Sequence, residues 1–90
     1  MLRITNIKED GSSVILKVEG RIMSEGVDVL KLECLKWLDQ NGKVQLECSA
    51  VSYIDERGVE MLKSMARNNV RIVRCQAFIH DLLNLARRKL

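Results

Sequence analysis

The sequence predicts a two-layer α/β domain: a four-stranded, mostly parallel sheet that opens with a β-hairpin and carries three helices mainly on one face. Three observations predict it. Segments of period two alternate along the chain with segments of helical period, which calls for a parallel sheet with right-handed crossovers. An Asp-Gly turn cluster separates the first two strand-like runs. The third strand-like run puts polar residues on one side, whereas a strand covered by helices on both faces would be apolar throughout.

Each element has its own signal. Residues 2–8 place Leu2 and Ile4 on one side and Arg3 and Thr5 on the other. The cluster Glu9-Asp10-Gly11-Ser12-Ser13 turns the chain into a second strand over 14–19, and Gly20 ends the unit. Ser24 is a candidate cap for a helix over 25–40, in which Val27, Leu30, Cys34, Trp37 and Leu38 recur at three- and four-residue steps. Asn41-Gly42 stops it. The third strand, 43–48, turns Val44, Leu46 and Cys48 one way and Lys43, Gln45 and Glu47 the other, and a loop over 49–54 follows. A second helix from 55 or 56 to 67 has Val59, Leu62, Met65 and Ala66 as its apolar side, and Asn68-Asn69 ends it. Residues 70–74 form the fourth strand, and a last helix over 77–88 turns Phe78, Leu82, Leu85 and Ala86 inward. No proline interrupts any element.

Length and composition narrow the function. Ninety residues suit one domain spanning 1–90, and a chain of this size buries only about 60% of its unfolded surface, which leaves little room for a deep substrate cavity. Trp37, Tyr53 and Phe78 are the only aromatic residues, so the core is aliphatic. A net charge of +3 is too small to mark a nucleic-acid binder, and the one dense basic run, Arg87-Arg88-Lys89, suits a solvated helix end. Cys34, Cys48 and Cys75 are odd in number and widely spaced, without a C-x-x-C pair. They are expected to be buried free thiols of a reducing, cytoplasmic setting, with no metal and no cofactor. No apolar run approaches the roughly 18 residues of a membrane span, so no direct membrane insertion is expected.

Catalysis lacks its usual groups. His80 is the sole histidine, set among Phe78, Ile79, Leu82 and Leu83, where a partly exposed helical histidine is the ordinary reading. Cys48 lies nearest the end of the third strand and is the thiol to test for reactivity. No phosphate-binding glycine motif is present. The chain is therefore expected not to be an enzyme.

The run from Val44 to Leu62, with Ile54-Asp55-Glu56-Arg57-Gly58-Val59 at its centre, resembles the STAS family signature: an apolar strand, a short loop, then I-D-S-S-G-L at a helix start. Ile54, Asp55, Gly58 and Val59 match it. Leu16-Lys17-Val18-Glu19-Gly20-Arg21-Ile22 resembles the family's strand ending in G-x-hydrophobic, and Val70-Arg71-Ile72-Val73 its last core strand. The resemblance implies a STAS-like fold with a shortened C-terminus, since such domains commonly continue with a further strand and helix. It also implies a protein-binding regulatory role of the bacterial anti-sigma-factor antagonist kind. In those antagonists the second serine of D-S-S-G is phosphorylated by a partner kinase. Here Glu56 and Arg57 stand at the two serine positions, and arginine has no hydroxyl to accept phosphate.

Two accounts of regulation remain: a constitutive binder, or an acceptor hydroxyl displaced to Ser52 or Ser49. Independently of the family, a loop that leaves a parallel strand and enters a helix N-terminus is a common ligand position. Asp55 suits an N-cap there, and Gly58 inside a helix requires either close packing or a partner near the backbone. The expected partner-binding surface is Ser52, Asp55, Glu56, Arg57, Gly58, Glu60, Met61 and Ser64. The resemblance admits two protein partners: an anti-sigma factor or related kinase, or the ATPase subunit of a membrane lipid transporter that uses a soluble STAS subunit. A small-ligand sensor is the alternative of another class.

Overall fold

The computed structural model describes residues 1–84. In chain order the elements are β1 (Leu2–Glu9), β2 (Val14–Ile22), α1 (Glu25–Asn41), β3 (Val44–Ile54), α2 (Glu56–Ala66), β4 (Val70–Val73) and α3 (Ala77–Asn84). The four strands form one sheet in the order β1-β2-β3-β4. The β1–β2 pair is antiparallel, and β3 and β4 join it in parallel. This is the expected topology. The continuation of the last helix to 88, with Leu85 and Ala86, lies outside the described residues, as does Arg87-Arg88-Lys89.

One face of the sheet carries the core. Val14, Leu16 and Val18 of β2 and Val44, Leu46 and Cys48 of β3 are buried against Leu30 and Cys34 of α1, Leu62 and Met65 of α2, and Ile79 of α3. Between the inward residues, Ile15, Lys17, Glu19, Gln45 and Glu47 are half-buried on the opposite face. Alternation of this kind is how a sheet with one covered face reads in sequence. The cysteines fit the same core: Cys34 and Cys48 are buried and Cys75 half-buried, all free. Burial pushes the Cys34 and Cys48 thiols up to about 12, which leaves them poor nucleophiles.

The structure corrects the expected loop over 49–54. Strand β3 continues through it to Ile54, paired with the upper part of β2. The register slips between Lys17 and Glu19 and again between Gly20 and Arg21, so β3 holds two more residues than β2 over this stretch. These are β-bulges, each adding a residue to one strand. They bring Cys48, Val51 and Ile54 to the buried face at steps of three, which defeats a period-two reading. Above the short β4, the Gln76 side-chain amide donates to the Ser49 and Val51 carbonyls at 3.4 and 3.3 Å. It thereby satisfies acceptors on β3 where, among the described residues, no β4 residue is paired with them.

Three further expectations change. Ser24 does not cap α1 through its side chain, and its own φ is 52°. Phe78 is 44% exposed and Ile79 takes its place in the core, with Leu82 and Leu83 packed against it. The inward stripe of α3 is therefore rotated by one residue, since 79, 82 and 83 share a face at helical spacing. On α2, Ala66 is exposed, whereas Met61 is buried.

Two outcomes follow from the core. Leu46→Ala should destabilise the protein by about 3 kcal/mol, read as a lower urea midpoint with unchanged slope. Iodoacetamide at about pH 8 should label Cys75 first, and Cys34 and Cys48 only after unfolding, as peptide mass mapping would show.

Candidate functional site

The site is assembled where β2 and β3 end and both helices begin. Asp55 is the N-cap of α2, with extended backbone at φ −90° and ψ 178°. Its Oδ1 accepts from the Gly58 N–H at 2.7 Å, and its Oδ2 accepts from the Ser24 N–H at 3.1 Å. Its own N–H donates to the Ile22 carbonyl at 3.0 Å. One residue thus ties the first turn of α2 to the turn that enters α1, and both to the end of β2. The Gly58 N–H, then the Ser24 N–H, hold the Asp55 carboxyl below its ordinary value of 3.8, and the Arg57 guanidinium adds to the effect.

Packing explains Gly58. A Cβ there would lie 2.8 Å from Ile54 Cγ1, 3.0 Å from Ile22 Cγ2 and 3.1 Å from the Ile22 carbonyl oxygen. The first turn of α2 rests directly on the last residues of both strands. Of the two accounts of this glycine, close packing is the one the coordinates support.

Arg57 reaches across to α1. Its Nη2 donates to Asp28 Oδ1 at 2.9 Å and its Nη1 donates to the Ser24 carbonyl at 3.3 Å. The ion pair is open to solvent, with 60% of the Arg57 side chain and 63% of the Asp28 side chain exposed. Such pairs contribute about 1 kcal/mol or less. The arginine is therefore positioned rather than locked, and it can exchange Asp28 for another carboxylate at little cost.

Beyond Arg57 a groove of about 400 Å3 runs between α1 and α2. Val27, Met61 and Met65 make its floor, all buried. Asp28 and Lys31 rim it from α1, and Glu56, Arg57, Glu60 and Ser64 rim it from α2. Five of the expected residues, Glu56, Arg57, Glu60, Met61 and Ser64, therefore come together in one groove. Met61 is its floor and not, as expected, part of the open surface, being 7% exposed. Asp55 and Gly58 hold the groove's end in place. Ser52 stands apart: its hydroxyl donates to the Gly20 carbonyl at 3.3 Å on the strand pair.

The α1 contributions were missed, since residues Val27, Asp28 and Lys31 lie about thirty positions before their neighbours. An acidic residue in the first turn of α1 was visible, but its pairing with Arg57 was not. Tyr53, 42% exposed with Arg21 over its ring at 5.4 Å, was also passed over at the end of β3. Trp37 is half-buried, donates to Glu33 Oε1 at 3.2 Å and packs on the core.

Comparison with known proteins gives two findings. A family model described as "Mlab, STAS domain" matches residues 5–88. A solved structure, that of the anti-sigma factor antagonist SpoIIAA in its unphosphorylated form, superposes with a TM-score of 0.74 over 92% of this chain and 83% of that one, at 10% identity. That likeness is one of fold. No curated protein matches. Among the described residues, no helix is long and apolar enough to cross a membrane.

Asp55 sets a pH dependence. Its carboxyl is depressed on folding, so the stability it supplies is complete above the unfolded value of 3.8 and is lost as pH falls through the folded value. Chemical denaturation across the acid range should show that loss, and Asp55→Asn should flatten it. Gly58→Ala should lower the thermal midpoint as well, because the Ile22 carbonyl cannot move aside without disturbing β2.

Proposed function

The chain belongs to the STAS domain family, and on that premise we infer that it is a protein-binding regulatory module, non-enzymatic and anti-sigma-factor antagonist-like, working in the cytoplasm as one domain over residues 1–90. The α1–α2 groove is its docking surface. The observation that carries this reading is the groove itself, with buried methionines beneath a rim of both charge signs and a positioned arginine at one end. Methionine side chains adapt to an inserted apolar residue. A desolvated apolar anchor within a charged rim is the usual arrangement of a binding hot spot.

The module binds constitutively. By its family resemblance Arg57 occupies the phosphoserine position, and its guanidinium is engaged with Asp28 and the Ser24 carbonyl. No phosphate can be added there, and the side chain is opposite in sign to a phosphoserine. Ser52 is already bonded to Gly20, which supports a local structural role for it. Ser49 is exposed on β3, away from the groove.

The same arginine favours a second reading, a soluble STAS subunit held on the ATPase of a membrane lipid transporter. A subunit retained through a working cycle needs no phosphorylation switch. A small-ligand sensor is less well supported, because the groove is shallow and its charged groups are spread along both walls rather than converging.

Affinity capture with the tagged chain should retain one protein, and Arg57→Glu and Ser64→Arg should each abolish retention while the thermal midpoint changes little. Identification of the captured protein as an anti-sigma factor or as an ATPase separates the two partner classes. Retention unchanged in both variants would place the surface elsewhere. Incubation with a captured kinase should leave the chain unphosphorylated, and stoichiometric phosphate on Ser52 by mass spectrometry would overturn the constitutive account.

A further inference from the structure

The strands β2, β3 and β4 begin at the opposite pole from Arg57, and a second groove opens there, about 1100 Å3 in volume. We propose that this groove binds an extended acidic segment of a partner protein, laid along the outer edge of β4, the last strand of the sheet among the described residues. Its walls carry Lys63 from α2 and Arg67 just past its end, Arg71 from β4, Lys43 at the foot of β3 and His80 from α3. No aspartate or glutamate is among the described residues that line it. The nearest acids in sequence lie outside the lining: Asp81 adjoins His80, and Asp10, two residues before Ser12, already accepts from the Ser12 and Ser13 N–H groups at 2.9 and 3.0 Å. In a chain of net charge +3, four full positive charges around one groove, none of them in an ion pair among the described residues, make a field that concentrates anions.

The edge strand decides what kind of anion. β4 is the last strand of the sheet among the described residues, and an edge strand presents main-chain N–H and C=O groups outward. An extended peptide pairs with such an edge, taking affinity from the main chain and selectivity from the side chains. Successive side chains of the added strand point to opposite faces. One set would meet Lys63 and Arg67, four residues apart across the end of α2. The other would meet Arg71, which alternates with the buried Val70 and so faces the other way. The volume lies above the range of about 300–1000 Å3 for small-ligand sites. No Trp, Tyr or Phe lines the groove, so bases of a nucleic acid have no stacking platform. The sequence's own last basic run, Arg87-Arg88-Lys89, carries the same sign as the groove, which directs the choice to a foreign acidic segment.

A fluorescein-labelled hexaglutamate, followed by anisotropy at low salt, tests the assignment. Saturable binding is expected, weakened about tenfold by Lys63→Glu with Arg67→Glu and similarly by Lys43→Glu with Arg71→Glu, so that the result does not rest on one variant's folding. Arg57→Glu, at the other pole, should leave it unchanged. A hexaglutamate N-methylated at every residue should not bind, since it has no N–H left to donate to a strand ladder. Absent saturation, binding by both double variants as tight as by the unaltered chain, equal binding of the N-methylated peptide, or preference for a labelled oligothymidylate would each overturn the proposal.

Discussion

Asp55 is the joint on which the site depends. A helix leaves its first N–H groups without intrahelical partners, and a single carboxylate meets that need for α2 while also fixing the turn before α1. Ser24 sits at positive φ, an uncommon conformation for a serine. The bond from its N–H to Asp55 is what compensates for that conformation. Both helices are therefore set relative to the sheet from one point. Met61 and Met65 reach the groove floor only because α2 starts where it does, flush against Ile22 and Ile54 through the missing side chain of Gly58.

The charge distribution of the molecule has two poles. At the end where the parallel strands finish, acids and bases alternate around a small apolar floor, so the surface selects a partner by shape and by the order of its charges. At the end where the strands start, one sign prevails. Both poles flank the same side of the sheet, because α2 runs between them with Arg57 in its first turn and Arg67 just past its last. A signal that displaced α2 would reach both.

Much of this was legible in the residues, for local reasons. The hairpin was written in Asp10-Gly11 between alternating runs, and Asp10 does hold the turn through Ser12 and Ser13. The start of α2 was written in Asp55 and Gly58, since a cap and a helical glycine are both positional signals. Met61 was misplaced because helical spacing defines a stripe but not its width, and α1 covers more of α2 than the stripe suggested. Phe78 yielded to Ile79 because the phase of α3 is fixed by how β4 delivers the chain, with Arg74 at φ 56°, and no periodicity within α3 reports that. Asp28 and Arg57 are far apart in sequence, and nothing local pairs them. The strand character of 49–54 was hidden because its partner residues on β2 lie about thirty positions earlier and the alternation is interrupted twice.

Those two interruptions have a consequence for how this chain can vary in length. Losing one of the extra residues of β3 would turn everything after it to the wrong side, sending Ile54 to solvent and the Asp55 carboxylate away from Ser24. Losing both would restore a plain ladder with Ile54 still facing inward. Parity, more than composition, is thus what this stretch must conserve: natural relatives and grafted variants should differ here by pairs of residues, while the hairpin tip at Gly11, which has nothing within 4 Å of an added Cβ, has room for a side chain.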